Sequence, residues 1–261
     1  MMKITYSFLL IAALSLLFLS SLQAQEDCAT GYCPSTITVH HKAGDVSPVT
    51  ADITYKVVKS AITGENKCWL AQNLGASAQA TAFSDCRQAT RGWYWSFAQK
   101  RGYKYDQLTS SFTPNPATYA EDLTVARGEW LSESDPCHLL LGRSWRLPTQ
   151  TELVSVGNTI FGGTGTSGLS ISLLNSRAGE LSLNVSGFIS VLSTVYWQGY
   201  STTYKVNNAE NGSIIMMSAS SQTISAGYLC LYVQFDGDAS IARTTYRPNL
   251  YYGSIRCVSD L

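Results

Sequence analysis

Apolar and polar residues alternate along most of this chain in short runs, and only once do apolar residues recur at helical spacing. Residues 36–40 alternate, and Ile53, Tyr55 and Val57 alternate again before a polar turn at 63–66. The run 68–75 follows, so the pattern predicts a hairpin whose second strand buries Trp69. Further short strands are predicted at 181–183, 188–192, 214–217, 228–235 and 253–258. The most apolar of them, 228–233, reads as a central strand. The one helix of length is predicted after Pro148, which pushes Leu147 into an extended conformation. Thr149 is a good N-cap, Glu152 completes a capping box, and Leu153, Val156 and Ile160 form one buried stripe. Glu152 also lies near the positive end of the helix dipole. The chain carries no internal repeat.

The beginning of the chain follows a different pattern. Lys3, an apolar run over 8–18 and the small-residue stretch before Gln25 read as a secretory signal peptide, residues 1–24, cleaved after Ala24. The apolar run is too short to span a membrane. Cys28 is preceded by Gln25, Glu26 and Asp27 rather than a small apolar residue, which argues against a lipid-modified cysteine. The expectation is export to the periplasm, cell surface or medium, with no membrane insertion after cleavage.

Composition then narrows the classes. With 45 % hydrophobic residues the chain is not of the disordered type, and a net charge of zero gives no electrostatic reason to expect nucleic acid. Seven cysteines in an exported chain read as disulfides. No Cys-x-x-Cys pair occurs and only three histidines are present, so no metal and no cofactor are expected. One thiol is left to stay free or to pair between chains. Cys28 with Cys33, around a Gly-Tyr turn, and Cys68 with Cys86 are the local pairings, leaving Cys230 as a buried thiol; other connectivities stay open.

Most chemical motifs dissolve on inspection. His40 and His41 are adjacent in a strand and point to opposite faces, so they read as exposed strand-end histidines rather than a metal pair. Residues 91–97 are dense in aromatics, and 99–106 add basic residues among tyrosines; such a mixture stacks rings. The reading favoured is that Trp93 and Trp95 are core and the basic residues solvated. Residues 75–84 and 113–134 read as loop, the second with room for one helical turn at 120–125. The glycine-rich stretch 162–168 lacks the Lys-Ser/Thr ending of a phosphate loop. No serine or cysteine sits in a nucleophile elbow, and His138 stands apart from the other histidines.

Several stretches fall in a telling order: Cys68-Trp69-Leu70-Ala71-Gln72-Asn73-Leu74-Gly75, Gly92-Trp93-Tyr94-Trp95, Gly102-Tyr103-Lys104, Asp135-Pro136-Cys137, Trp145-Arg146-Leu147-Pro148-Thr149 and Gly253-Ser254-Ile255-Arg256-Cys257-Val258. That order resembles the Fibrobacter succinogenes major paralogous domain family of Bacteroidota-type exported proteins. The resemblance implies an α+β, C-type-lectin-like fold, with short twisted antiparallel sheets, one main helix and long loops. It divides the chain into the signal peptide, an N-terminal extension over 25–52 and the family domain over 53–261. It also implies a Cys137–Cys257 disulfide, because the family often has cysteines at both motif positions. Two departures are Leu153, where the family commonly has Trp, and the stretch 214–219, where it has Tyr-Trp-Ser-Ser. The family supplies no activity. Its distant formylglycine-generating relatives use a reactive cysteine pair that has no match here, and the calcium-binding triplets of true lectins are absent; Asn115, between two prolines, does not replace them.

The function expected is therefore a non-catalytic binding or adhesion module for a glycan or protein ligand. Tyr196, Trp197, Tyr200, Tyr204, Tyr246, Tyr251 and Tyr252 stand among Ser, Thr, Asn and Gly, the composition of binding loops, although it equally suits exposed strands. The alternatives are a structural or assembly component of the cell envelope and, behind that, an enzyme of the formylglycine-generating fold.

Overall fold

The computed structural model describes residues 32–106, 108–109, 111–114, 130–162, 176, 179, 181–184, 188–196, 199–207, 214–221, 227–236, 239–248 and 251–260, with backbone alone for Phe161 and 188–251. The expected signal peptide, Cys28, Trp197, the helical turn at 120–125 and nearly all of the glycine-rich stretch lie outside the described residues.

Strands Thr36–His41 (β1), Ala51–Ser60 (β2) and Lys67–Leu70 (β3) make an antiparallel meander. Along β2 the alternation is literal: Ile53, Tyr55 and Val57 are buried while Asp52, Thr54 and Lys56 face out. The sheet continues from β3 to the last strand, Val258–Asp260 (β14), and then to the short strand Trp145–Arg146 (β7). Strand β14 is thus enclosed between two earlier strands.

A six-stranded sheet runs Ser111–Thr113 (β6), Gly102–Asp106 (β5), Tyr94–Ser96 (β4), Tyr251–Gly253 (β13), Phe188–Tyr196 (β8) and Gly199–Asn207 (β9). Ile214–Ser221 (β10), Gly227–Asp236 (β11) and Ala239–Pro248 (β12) form a third sheet with β11 in the middle, the central position its apolar sequence predicts. All paired strands are antiparallel, and among the described residues the helices are few: Gln88–Arg91 (α1), Pro136–Leu141 (α2) and Gln150–Phe161 (α3). The architecture is α+β. Its helix α3 runs beside the three-stranded sheet.

Helix α3 starts as its sequence dictates. The Thr149 hydroxyl accepts the Glu152 N–H at 3.2 Å, the Glu152 carboxylate accepts the Thr149 N–H at 2.7 Å, and Leu153, Val156 and Ile160 are buried. Helix α2 is capped by Asp135, whose one oxygen accepts from the N–H groups of Cys137 (2.8 Å) and His138 (3.4 Å). Its other oxygen takes the Leu147 N–H at 2.8 Å, tying the helix start to the approach of α3. Burial pushes the Asp135 carboxyl up, against these N–H groups.

The core is aromatic. Trp93, Trp95, Phe97, Trp130 and Trp145 pack with Tyr55, Leu70, Leu74, Leu147 and Ile255. Strand β4 is buried on both faces, so Trp95 faces this cluster while Tyr94 packs into a second one with Tyr103 and Tyr252.

Four expectations need correction. Cys33 pairs with Cys68, not Cys28, and Cys86 is a half-buried free thiol rather than the partner of Cys68. The reason is strand order: the Val57 N–H bonds the Ser35 carbonyl at 2.9 Å, which carries the chain ahead of β1 across β2 towards β3 and Cys68. Residues 181–183 are a turn, not a strand, with Ser182 at φ 48° and two of its carbonyls taken by Arg256. Residues 253–258 are not one strand either. They end β13, cross between two sheets and begin β14, held by Leu74 N–H to Ile255 O (2.8 Å) and Leu70 N–H to Cys257 O (3.0 Å). His41 is not exposed: it is 1 % accessible, while His40, on the opposite face, is open and bonds Asp52 at 2.5 Å. The second disulfide joins Cys137 to Cys257, the pairing that the resemblance implied.

Candidate functional site

A cleft of about 390 Å³ opens where the start of β2, the turn after β3, α1 and β5 meet. Trp93 forms its floor, Val49, Ala51 and Ile53 give it an apolar side, and Asp52, Ser77, Gln88, Lys104 and Tyr105 bring polar groups to it.

The floor is held rigidly. Gly75, at φ 83°, lies so close that a Cβ there would come within 2.1 Å of the Trp93 ring, and a Cβ on Gly92, at φ 75°, would meet the Leu74 carbonyl at 2.5 Å. Only glycine satisfies both the left-handed backbone and the approach. Behind the indole, the Tyr55 hydroxyl accepts the Gly75 N–H at 2.9 Å and shares a hydrogen bond with His41 Nε2, 2.8 Å away. His41 has its other ring nitrogen, Nδ1, buried without a partner among the described residues. Its ring meets Trp93 edge to face at 4.9 Å. Burial, helped by His40 and opposed by Asp52, pushes the His41 pKa down to about 4, so it stays uncharged in neutral solution. Burial likewise raises the Tyr55 hydroxyl, against the Gly75 N–H, and keeps it a donor.

A second cleft, about 480 Å³, lies along the Asp135–Thr149 stretch between Trp130, His138, Arg143 and Trp145. Its ionic groups are largely committed to each other. Arg146 makes two bonds to Glu152 (2.8 and 2.9 Å) and two to Asp260 (both 2.9 Å), and Lys67 reaches Glu152 at 3.2 Å and also Asp260. This cluster locks β3, β7, β14 and the N-terminus of α3 together and reads as structural.

The sequence-predicted binding tyrosines are distributed differently from a set of loops. Tyr196 ends β8, Tyr200 and Tyr204 lie on β9, Tyr246 on β12 and Tyr251 on β13; their side chains are outside the described set. Tyr252 is 4 % accessible and stacks edge to face on Tyr103 at 5.2 Å, so it is a core residue. Tyr and Thr favour extended backbone, and that propensity shaped this region. Trp93 and Trp95 are buried as expected, which leaves Tyr105 as the half-buried ring beside the cleft. The cleft residues Asp52, Ser77 and Gln88 were not legible as a site. They are ordinary polar residues far apart in sequence, and only the Gly102–Asp106 run of basic and aromatic residues hinted at Lys104 and Tyr105.

Comparison with protein-family models, curated proteins and solved structures finds no match to this chain.

Proposed function

We propose that the chain is an exported, non-catalytic binding module whose ligand is a saccharide held in the Trp93 cleft. The observation that carries this reading is the cleft's make-up: an apolar side over the buried Trp93, edged by the half-buried Tyr105 ring and by a carboxylate, a hydroxyl, an amide and an ammonium. Sugars present apolar C–H faces edged by hydroxyls, and a rigid ring with hydrogen-bonding groups at its margin complements both. A volume of about 390 Å³ lies near the lower end of small-ligand sites, roughly 300–1,000 Å³.

The leader over 1–24 and two disulfides support export to an oxidising compartment. The ordered motifs support membership of the Fibrobacter succinogenes major paralogous type and a C-type-lectin-like version of the α+β fold. They fall on β3, β4, β5, α2, β7 and the C-terminal crossing, and buried residues from all of these except β5 meet in the main core cluster, while Tyr94 and Tyr103 pack in the second.

A glycan array probed with the wild-type protein and Tyr105→Ala tests this. Binding to a subset of glycans, lost in the variant at unchanged Tm, is expected. No glycan bound, or equal binding by the variant, refutes the reading.

A further inference from the structure

Resting on the saccharide reading above, we infer that the ligand is an acidic saccharide whose carboxylate is taken by Lys104. Two ionic side chains line the cleft, Asp52 from β2 and Lys104 from β5. They are not equivalent. Asp52 already gives one oxygen to His40 Nδ1 at 2.5 Å. Lys104 has no hydrogen-bond or ionic partner among the described residues, whereas the neighbouring Lys100 and Arg101 both reach Asp45, at 3.2 and 3.7 Å. Among the described residues Lys104 is the cationic side chain that lines the cleft, and its ammonium is free to pair with an anion.

Position adds direction to charge. Lys104 is exposed on β5 between Tyr103 and Tyr105, whose side chains take the other face of the strand, and Tyr105 is steadied there by Phe112 at 5.0 Å. A sugar acid in the cleft that extends to the β5 wall brings its carboxylate to the Lys104 ammonium, and the charge-assisted bond is stronger than one to a neutral hydroxyl. Asp52 repels a carboxylate and accepts from hydroxyls through its remaining oxygen, so the anionic end of the ligand belongs at β5 and the hydroxyl-bearing end at β2. Ser77, exposed at the turn after β3, adds a hydroxyl that either donates or accepts.

The test uses the full chain and an array of uronic-acid and sialic-acid glycans printed beside their carboxyl-reduced, neutral counterparts. Expected is a preference of about tenfold for the acidic forms, which shrinks between 0.05 and 0.5 M NaCl as screening rises. Lys104→Gln should erase the preference and leave weak binding of the neutral forms at unchanged Tm, while Asp52→Asn should keep the preference. Equal binding of acidic and reduced forms, or a preference that survives in Lys104→Gln, overturns this inference and leaves the saccharide reading standing. Binding to neither form overturns both.

Discussion

Glu152 is the residue on which the ionic cluster turns, and its titration can be isolated. Burial alone would raise its carboxyl, but the Arg146 guanidinium, the Thr149 N–H and Lys67 together outweigh burial and hold it at about 2, against an ordinary 4.5. A carboxyl held below its unfolded value stabilises the fold fully above that unfolded value. The contribution fades as pH falls through the folded one, so the window runs from about pH 5 to pH 2. At about 1.4 kcal/mol per pH unit the gap corresponds to roughly 3 kcal/mol at neutral pH. Since Arg146 and Asp260 are partly open to water, screening brings the expectation to about 2–3 kcal/mol.

Glu152→Gln removes the charge and keeps an oxygen for the Thr149 N–H, so the capping box survives. Asp85, held low by Arg87 against burial, and Asp260, held low by Arg146 against burial, titrate in the same acid range. The wild-type acid curve alone is therefore uninformative, and the quantity to follow is the difference between wild type and variant. Urea unfolding at a series of pH values should show Glu152→Gln less stable by about 2–3 kcal/mol at pH 7, with the two proteins converging towards pH 2. An offset that stays constant from pH 7 to pH 2.5 would falsify the electrostatic account and leave only lost packing.

Two other consequences are open to direct measurement. Replacing Cys137 and Cys257 together by serine opens a loop with a sequence separation of 120, and chain entropy predicts a loss of about 4–5 kcal/mol in denaturant unfolding; a loss under 1 kcal/mol would mean that the unfolded chain is held compact by other contacts. Gly75→Ala should cost several times more than Gly64→Ala. Both glycines have positive φ, 83° and 93°, but an added Cβ meets Trp93 at 2.1 Å in the first case and nothing within 4 Å in the second. Equal losses in Tm would show that Trp93 moves aside freely.

What the sequence made legible follows a physical divide. The β2 alternation, the α3 capping box and the burial of Trp69, Trp93 and Trp95 are local: each rests on a few adjacent residues whose propensity and tertiary packing agree. The disulfide of Cys33, the burial of His41 and the turn at 181–183 depend on which strands lie beside which, and no local pattern encodes that. Neighbouring histidines in a strand must face opposite ways, yet only the packing of Trp93 and Tyr55 decides that His41 takes the inner side. The cleft was hidden for the same reason, since its polar groups come from β2, the turn after β3, α1 and β5 and meet only in three dimensions.

Arg256 shows the divide most sharply. In a stretch that the sequence offered only as a short strand, Arg256 is fully buried. Its Nη1 donates to the carbonyls of Leu70 and Leu181 at 3.1 Å each, and its Nη2 donates to Ser182 O at 3.3 Å. No carboxylate is among these partners. Burial pushes its pKa down to about 9, which leaves the guanidinium charged at neutral pH. A buried charge without a counter-ion is costly, and neutral carbonyls offset that cost only when the planar fork meets several at once. The three carbonyls belong to β3 and to the turn at 181–182, and the arginine itself belongs to the crossing that β3 helps to hold. Each segment therefore has its shape only while the others are in place. That mutual dependence joins 68–75, 181–182 and 253–258 into one contact surface, although they lie far apart in sequence.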